Sequence, residues 1–173
     1  MAILKVLTAP NPILNDVARP VREDEFGYEL ETLMHSMLDT MYAQKGVGLA
    51  APQIGDSRRI LVAEPKLPDS ETSDFFMMVN PVIIKRSDEI IGFNEGCLSV
   101  PDFLFAVPRH KVITVEWFLP DGTKRKETLR DYSSIVIQHE IDHLDGITLL
   151  NRASRPHRRK YLRDIRKKKR KNK

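Results

Sequence analysis

The residues best suited to do chemistry are two histidines four positions apart, with a glutamate directly after the first. They stand in residues 138–143, which read QHEIDH. On a helix, residues four apart lie on one face, so His139 and His143 can present two imidazoles to one metal ion. Glu140 could then lie beside a water molecule that the ion activates, where its carboxylate takes up and returns a proton. The alternative is a helix that carries two ordinary histidines.

A catalytic metal site usually holds its ion with three protein groups and leaves one position open. Cys97, the single cysteine, is the best candidate for the third group. The other histidines lie on a predicted core helix, next to a predicted strand and in a basic tail: His35, His110 and His157. A lone cysteine is more often a small buried core residue, but beside the histidine pair a ligand role is favoured. A Cys-His-His set suits a divalent ion of the zinc or iron type.

A glycine-rich segment, residues 46–55 (GVGLAAPQIG), precedes these groups. It matches neither phosphate-binding pattern, because it lacks G-x-x-x-x-G-K and does not place G-x-G-x-x-G between a strand and a helix. Its small residues would allow a substrate or a neighbouring strand to approach the backbone. Gln53 could point a neutral amide donor at a developing oxyanion. A plain turn is the alternative interpretation.

The elements that must position these groups are helices and strands in a mixed order. An apolar stripe with a 3.6-residue period, rich in methionine, predicts a core helix over residues 24–44. A second helix should begin at an N-cap of Ser133 or Ser134 and end at Leu144. Strands are predicted over 59–63, 75–84 (interrupted at 80–81), 111–119 and 123–129, with a polar loop over 65–74 and a turn at 120–122. Helix, strands, hairpin and helix in that order indicate an α+β fold.

Charge divides the chain into two parts. The 173 residues carry a net charge of +4, with 41% hydrophobic and 30% charged residues, as is typical of a globular protein. Residues 155–173 hold 12 lysines and arginines and one acid, a net charge of +11, so residues 1–154 carry −7. We therefore predict one domain over 1–154 and a basic C-terminal extension over 155–173.

The composition also excludes several classes of protein. One cysteine allows no intramolecular disulfide, which fits a reducing compartment. No apolar run approaches the roughly 20 residues that span a bilayer. The apolar N-terminal stretch before Pro10 is too short for a secretion signal. We therefore expect a cytoplasmic protein with no membrane partner.

Three segments together resemble peptide deformylase, the enzyme that removes the N-formyl group from nascent bacterial proteins. They are residues 46–53 (GVGLAAPQ), 95–99 (EGCLS) and 138–144 (QHEIDHL), in the order of that family. The resemblance implies mixed or antiparallel β-sheets packed around a central metal-binding helix, with an N-terminal helix and a basic C-terminal helix. It also implies that 1–154 is a single catalytic domain.

The resemblance assigns roles to individual residues. It implies that Cys97, His139 and His143 bind the metal and that Glu140 is the general acid and base. Gln53 and the backbone N–H of Leu98 would stabilise the oxyanion. The implied cofactor is one Fe²⁺ per chain, with Zn²⁺, Ni²⁺ or Co²⁺ able to substitute. The implied reaction releases formate and a free N-terminal amine from an N-formylmethionyl peptide.

The resemblance also indicates where the peptide binds. An extended peptide would lie along residues 47–49, and its methionine side chain would enter an apolar pocket. The residues implied in substrate binding are Val47, Gly48, Phe93, Glu95, Tyr132, Ile135 and Val136. Glu95 is further expected to pair with Arg109 and brace the loop that carries Cys97.

The basic extension is expected to act as an anchor. Clustered lysines and arginines bind nucleic acid by releasing its counterions. Deformylases that this chain resembles carry a C-terminal basic helix that docks on the ribosome, so ribosome association through 155–173 is predicted. A solvated, disordered end is the alternative.

Two other functions remain open on the sequence alone. A zincin-type peptidase shares the histidine pair, but the upstream cysteine and the segment 46–53 argue against it. A basic ribosome-binding protein with a structural zinc site would need a fourth protein ligand, for which the sequence offers no good candidate.

Overall fold

The computed structural model describes residues 2–66 and 75–171. Most of the predicted polar loop over 65–74 therefore lies outside the described residues. The helices are α1 Tyr28–Ala43, α2 Asp131–Leu144, α3 Leu149–Arg152 and α4 Arg155–Lys171, with short 3₁₀ helices at Pro12–Asn15, Glu23–Glu25 and Ala51–Ile54. The strands are β1 Gly48–Ala50, β2 Ile60–Ala63, β3 Phe76–Arg86, β4 Ile90–Cys97, β5 Val100–His110, β6 Val112–Phe118 and β7 Lys124–Arg130.

The strands form two antiparallel sheets. Five of them make the main sheet in the order β1-β2-β3-β6-β7, and β4 and β5 make a separate two-stranded sheet. Helix α2 packs against both sheets, with contacts to β1, β2, β6 and β7 of the main sheet and to β5 of the small one. The predicted α+β fold, with sheets around a central helix, is confirmed.

The main sheet is covered on both faces, which explains why β2 is buried along its whole length. Successive strand residues point to opposite faces. Leu61 and Ala63 pack in the cluster that contains α2, whereas Ile60 and Val62 pack in the cluster that contains α1. The methionine stripe of α1 faces this second cluster with fully buried side chains: Met34, Met37 and Met41. The stripe is core, as its period predicts.

The hairpin near residue 120 forms as predicted. Strands β6 and β7 pair in register from Val112 opposite Arg130 to Phe118 opposite Lys124. Gly122 has a φ of +86° at the turn, and its N–H donates to the carbonyl of Leu119 at 2.9 Å. A left-handed backbone of this kind is where glycine is favoured.

Two local predictions are corrected, and one sheet lies where no strands are predicted. Strand β3 is not interrupted at Asn80 but continues through a register shift to Arg86. Neither Ser133 nor Ser134 caps α2, because the helix begins at Asp131 and the Ser134 hydroxyl donates to the His110 carbonyl at 2.7 Å. The sheet of β4 and β5 was not predicted at all.

The basic extension is helical and is attached to the body by its few apolar residues. Tyr161 on α4 is buried and contacts the ring of Phe103 on β5 edge to face, with a centroid distance of 5.4 Å. Leu162 and Ile165 pack against the same cluster. On the exposed side, Lys168 pairs with Asp102 at 2.7 Å. The exposed lysines and arginines of α4 form a basic surface that faces solvent.

Candidate active site

Helix α2 and the end of β4 bring together the three predicted metal ligands. Cys97 is the last residue of β4, and the two-residue turn 98–99 leads directly into β5. One ligand atom from each of Cys97, His139 and His143 lies within 4.8 Å of the other two. Cys97 Sγ and His143 Nε2 are 3.2 Å apart.

The donor set fits a metal ion. Both histidines are buried. Burial holds the pKa of His143 well below its ordinary value, which favours the neutral imidazole that a metal needs. Burial also lowers the pKa of His139, but its bonds to Cys97 and Glu95 outweigh this and the net shift is upward. His139 engages Glu95 through Nδ1 at 2.7 Å, so its Nε2 is the nitrogen left for a metal. One thiol and two imidazoles with one open position are the ligands and number expected of a catalytic zinc or iron-type site.

A buried charge network orients the first histidine. Arg109 donates to both oxygens of Glu95, at 2.7 and 2.9 Å, which is the predicted pairing. Burial raises the pKa of Glu95, but the bonds from Arg109 and His139 outweigh it and the net shift is downward. Glu95 is therefore a carboxylate that fixes the ring of His139, as carboxylates do behind many metal-binding histidines.

Gln53 is oriented by its own loop and by the turn after Cys97. Its Oε1 accepts a hydrogen bond from the backbone N–H of Ala50 at 2.8 Å. Its Nε2 donates to Ser99 Oγ at 3.1 Å and lies 3.7 Å from Cys97 Sγ. The amide donor therefore points toward Cys97, one of the three candidate metal ligands.

Glu140 is buried at the floor of the site. Burial raises the pKa of its carboxyl group to about 7. Within the described part of the chain, its Oε2 has no hydrogen-bond partner. An oxygen of this kind is available to a water or substrate proton, because nothing else from the described residues engages it.

A cavity of about 370 Å³ connects these groups. Its walls are formed by the glycine-rich segment, the end of β4 and one face of α2. Every predicted site residue except His143 lines it: Val47, Gly48, Gln53, Phe93, Glu95, Cys97, Leu98, Tyr132, Ile135, Val136, His139 and Glu140. The rings of Phe93 and Tyr132 meet at one wall, with centroids 5.3 Å apart.

Two side chains that are not among the predicted site residues also support the site. Asp142 accepts from Arg109 at 2.6 Å and from Arg152 at 2.6 Å, so it balances the charge of the buried arginine. Ser99 holds the Gln53 amide. Both lie inside the quoted motifs, but their partners come from distant parts of the chain. Only the tertiary structure identifies their contacts.

Known proteins match this chain over most of its length. The family described as Polypeptide deformylase matches residues 3–159. A peptide deformylase from Maricaulis maris is 38% identical over 167 residues, covering 96% of this chain and 94% of its own. The crystal structure of a Legionella pneumophila peptide deformylase superposes with a TM-score of 0.87 at 37% identity, covering 99% of this chain and 98% of its own.

A structure from Acinetobacter baumannii adds a bound peptide. It is described as a Met-Ala-Ser-bound class I type b peptide deformylase, with a TM-score of 0.83 and 34% identity over 88% of this chain and 99% of its own. Fold and sequence together place the chain among hydrolases. It belongs to the peptide deformylase family, whose members are metalloenzymes that remove the N-formyl group from nascent peptides. Among the helices of the described residues, none has the length and apolarity to cross a membrane.

Proposed function

We propose that this chain deformylates N-formylmethionyl peptides by a metal-dependent hydrolysis in which Cys97, His139 and His143 hold the ion. The single observation that carries the proposal is the convergence of these three donors within 4.8 Å at a cavity that also contains Glu140 and Gln53. When bound, the ion supplies Lewis-acid polarisation and makes water nucleophilic at neutral pH. By the family resemblance the ion is Fe²⁺, and Zn²⁺, Ni²⁺ or Co²⁺ can replace it.

The side chains then divide the work of the reaction. Glu140 accepts a proton from the water that attacks the formyl carbon, using Oε2, which has no hydrogen-bond partner among the described residues. The amide of Gln53 and the backbone N–H of Leu98 donate to the developing oxyanion. As the C–N bond breaks, Glu140 passes the proton to the amine nitrogen. The products are formate and a free N-terminus.

The peptide would lie along β1. Strand β1 is at the edge of the main sheet and pairs with β2 from Gly48 opposite Ala63, while its other side faces the cavity. An added strand uses backbone hydrogen bonds that are indifferent to sequence. The methionine side chain would enter the apolar wall made by Val47, Phe93, Tyr132, Ile135 and Val136. This fits a relative that binds Met-Ala-Ser.

Formate release tests this function directly. Protein prepared without oxygen and loaded with Fe²⁺ or Ni²⁺ should release formate from formyl-Met-Ala-Ser, and Glu140→Ala should abolish turnover while retaining the metal. Cys97→Ala and His139→Ala should lose the metal itself, as measured by elemental analysis. No formate from the loaded protein would contradict the proposal.

The basic helix α4 is the proposed ribosome anchor. Arg166, Lys167 and Arg170 are exposed on it, whereas Tyr161 is buried against the body. Because deleting 158–173 would also remove Tyr161, replacing the three exposed cations with glutamine is the cleaner test. A matched control carries the same change at Lys5, Lys85 and Arg125, which are exposed elsewhere.

Co-sedimentation with ribosomes at increasing salt measures the anchor. The α4 variant should lose salt-sensitive association, since fewer counterions are released, while the control retains it. Turnover of a short formyl peptide should be the same in both variants. Equal co-sedimentation of the two would show that α4 is not the anchor.

A further inference from the structure

Gly48 leaves an opening in β1 that is filled by the side chain of Glu140. A Cβ atom placed on Gly48 would lie 2.7 Å from Glu140 Cδ and 2.8 Å from its Cγ, and it would overlap Oε1. These three are the nearest atoms around that position. The Glu140 carboxylate therefore occupies the volume that any other residue at position 48 would need.

The backbone alone does not require glycine here. Gly48 is a strand residue outside the left-handed region, in contrast to Gly55 and Gly122, whose φ angles are +83° and +86°. Alanine could adopt the same backbone conformation and keep the pairing with Ala63. What alanine could not keep is the present position of the Glu140 carboxylate.

We infer that Gly48 is a positioning residue, which places the Glu140 carboxylate by offering it the space of a missing side chain. A methyl group at position 48 would push the carboxylate along the cavity without disturbing the sheet, because the obstructing atoms are the end of a flexible side chain. Misplacing a catalytic group by about 1 Å can reduce a rate by about 10²-fold. The inference rests on the role of Glu140 given under the proposed function.

A different explanation of this glycine is that it lets the peptide approach β1 closely. The two explanations predict different measurements. Loss of peptide approach weakens the binding of substrate and product, which raises KM and the Kd of a product peptide. Displacement of Glu140 lowers kcat and leaves peptide binding almost unchanged.

The first test compares Gly48→Ala with a matched control, Gly92→Ala. Gly92 lies on β4, and a Cβ there meets nothing within 4 Å. We expect G48A to lose about 10²-fold in kcat, with the metal content unchanged, and G92A to behave as the parent. The Kd of Met-Ala-Ser should stay within about twofold in both.

The second test does not depend on turnover. Thermal unfolding is measured for the parent, G48A, E140A and the double variant G48A/E140A. If the new methyl group clashes only with Glu140, G48A lowers the midpoint in the parent but not in the E140A background. A crystal structure of G48A should show β1 in place and the Glu140 carboxylate displaced.

Several results would overturn the inference. One is an unchanged kcat in G48A. Another is a loss of kcat/KM that comes from a raised KM and weaker Met-Ala-Ser binding. The third is an equal drop in the unfolding midpoint with and without Glu140. The unfolding series and the crystal structure remain decisive even if the parent released no formate. Failure of the proposed function and failure of this inference are thus separate outcomes.

Discussion

Arg109 Nη1 donates to Asp142 Oδ2 at 2.6 Å, which joins strand β5 to the helix that carries both candidate histidine ligands. The same guanidinium donates to both oxygens of Glu95 on β4. Arg109 and Glu95 are each only 4% exposed. One arginine thus holds three elements of the site in place, and it does so away from bulk water.

Removing this arginine should be costly to the fold. Arg109→Met leaves two acids without their buried partner, and breaking such a pair typically costs about 3–5 kcal/mol of unfolding free energy. Chemical denaturation measures the loss, which adding Glu95→Gln should partly restore. Lys111→Met is the control, because its pair with Glu89 is exposed to solvent and should contribute little to stability. Equal losses at positions 109 and 111 would contradict this view.

Gln53→Glu should slow turnover without removing the metal. The carboxylate preserves size and the acceptor for the Ala50 N–H, but it replaces the amide donor and adds a negative charge where an oxyanion would form. Losing one such donor costs about 10²–10³-fold in kcat. Gln44→Glu makes the same change at an exposed position outside the cavity and should be neutral. Steady-state kinetics and metal analysis measure these effects. An unchanged kcat would show that Gln53 has no part in the mechanism.

Tyr161 should matter for its ring and not for its hydroxyl. Its OH is buried and has no hydrogen-bond partner among the described residues. Tyr161→Phe should therefore keep or slightly raise the unfolding free energy, because an unpaired buried hydroxyl is unfavourable. Tyr161→Ala should lower it by about 3 kcal/mol by leaving a cavity beside Phe103. A substantial loss in the phenylalanine variant would mean that the hydroxyl has a partner.

Acid should remove one surface contribution to stability. Arg19 donates to both oxygens of Glu25, and with the Arg22 N–H it lowers the pKa of that carboxyl to about 2. The pKa in the unfolded chain is about 4.3, so the stabilisation is complete above that pH and is lost as the pH falls toward 2. The difference in unfolding midpoint between the parent and Glu25→Gln should be present at neutral pH and vanish near pH 2. A difference independent of pH would contradict the role of this pair.

The predictable parts of the fold are those with a clear period or turn. The apolar stripe predicts α1, and the turn at 120–122 predicts the hairpin of β6 and β7. The sheet of β4 and β5 has neither signal, because glycines and prolines interrupt it and many of its residues are exposed. The sequence places the start of α2 too late. The hydroxyl of Ser134 bonds to the carbonyl of His110 on β5 and does not cap the helix, and local sequence does not show this contact.

The same distinction holds in the site. Spacing on one helix face is a local property, so the pairing of His139 with His143 can be predicted from sequence. The contacts of Asp142 with Arg109 and Arg152 span 33 and 10 residues and depend on how β5 and α3 pack on α2. Such supporting contacts are specified by the tertiary fold.

The candidate ligands belong to elements that are far apart along the chain. Cys97 ends the small sheet, and His143 lies 46 residues later on α2. An ion held by both would act as a cross-link that closes this loop, which stabilises the folded chain. Removing it with a chelator should lower the unfolding midpoint and speed amide hydrogen exchange in β4 and β5 more than in β6 and β7. The metal would then fasten one sheet to the rest of the protein as well as serve the reaction.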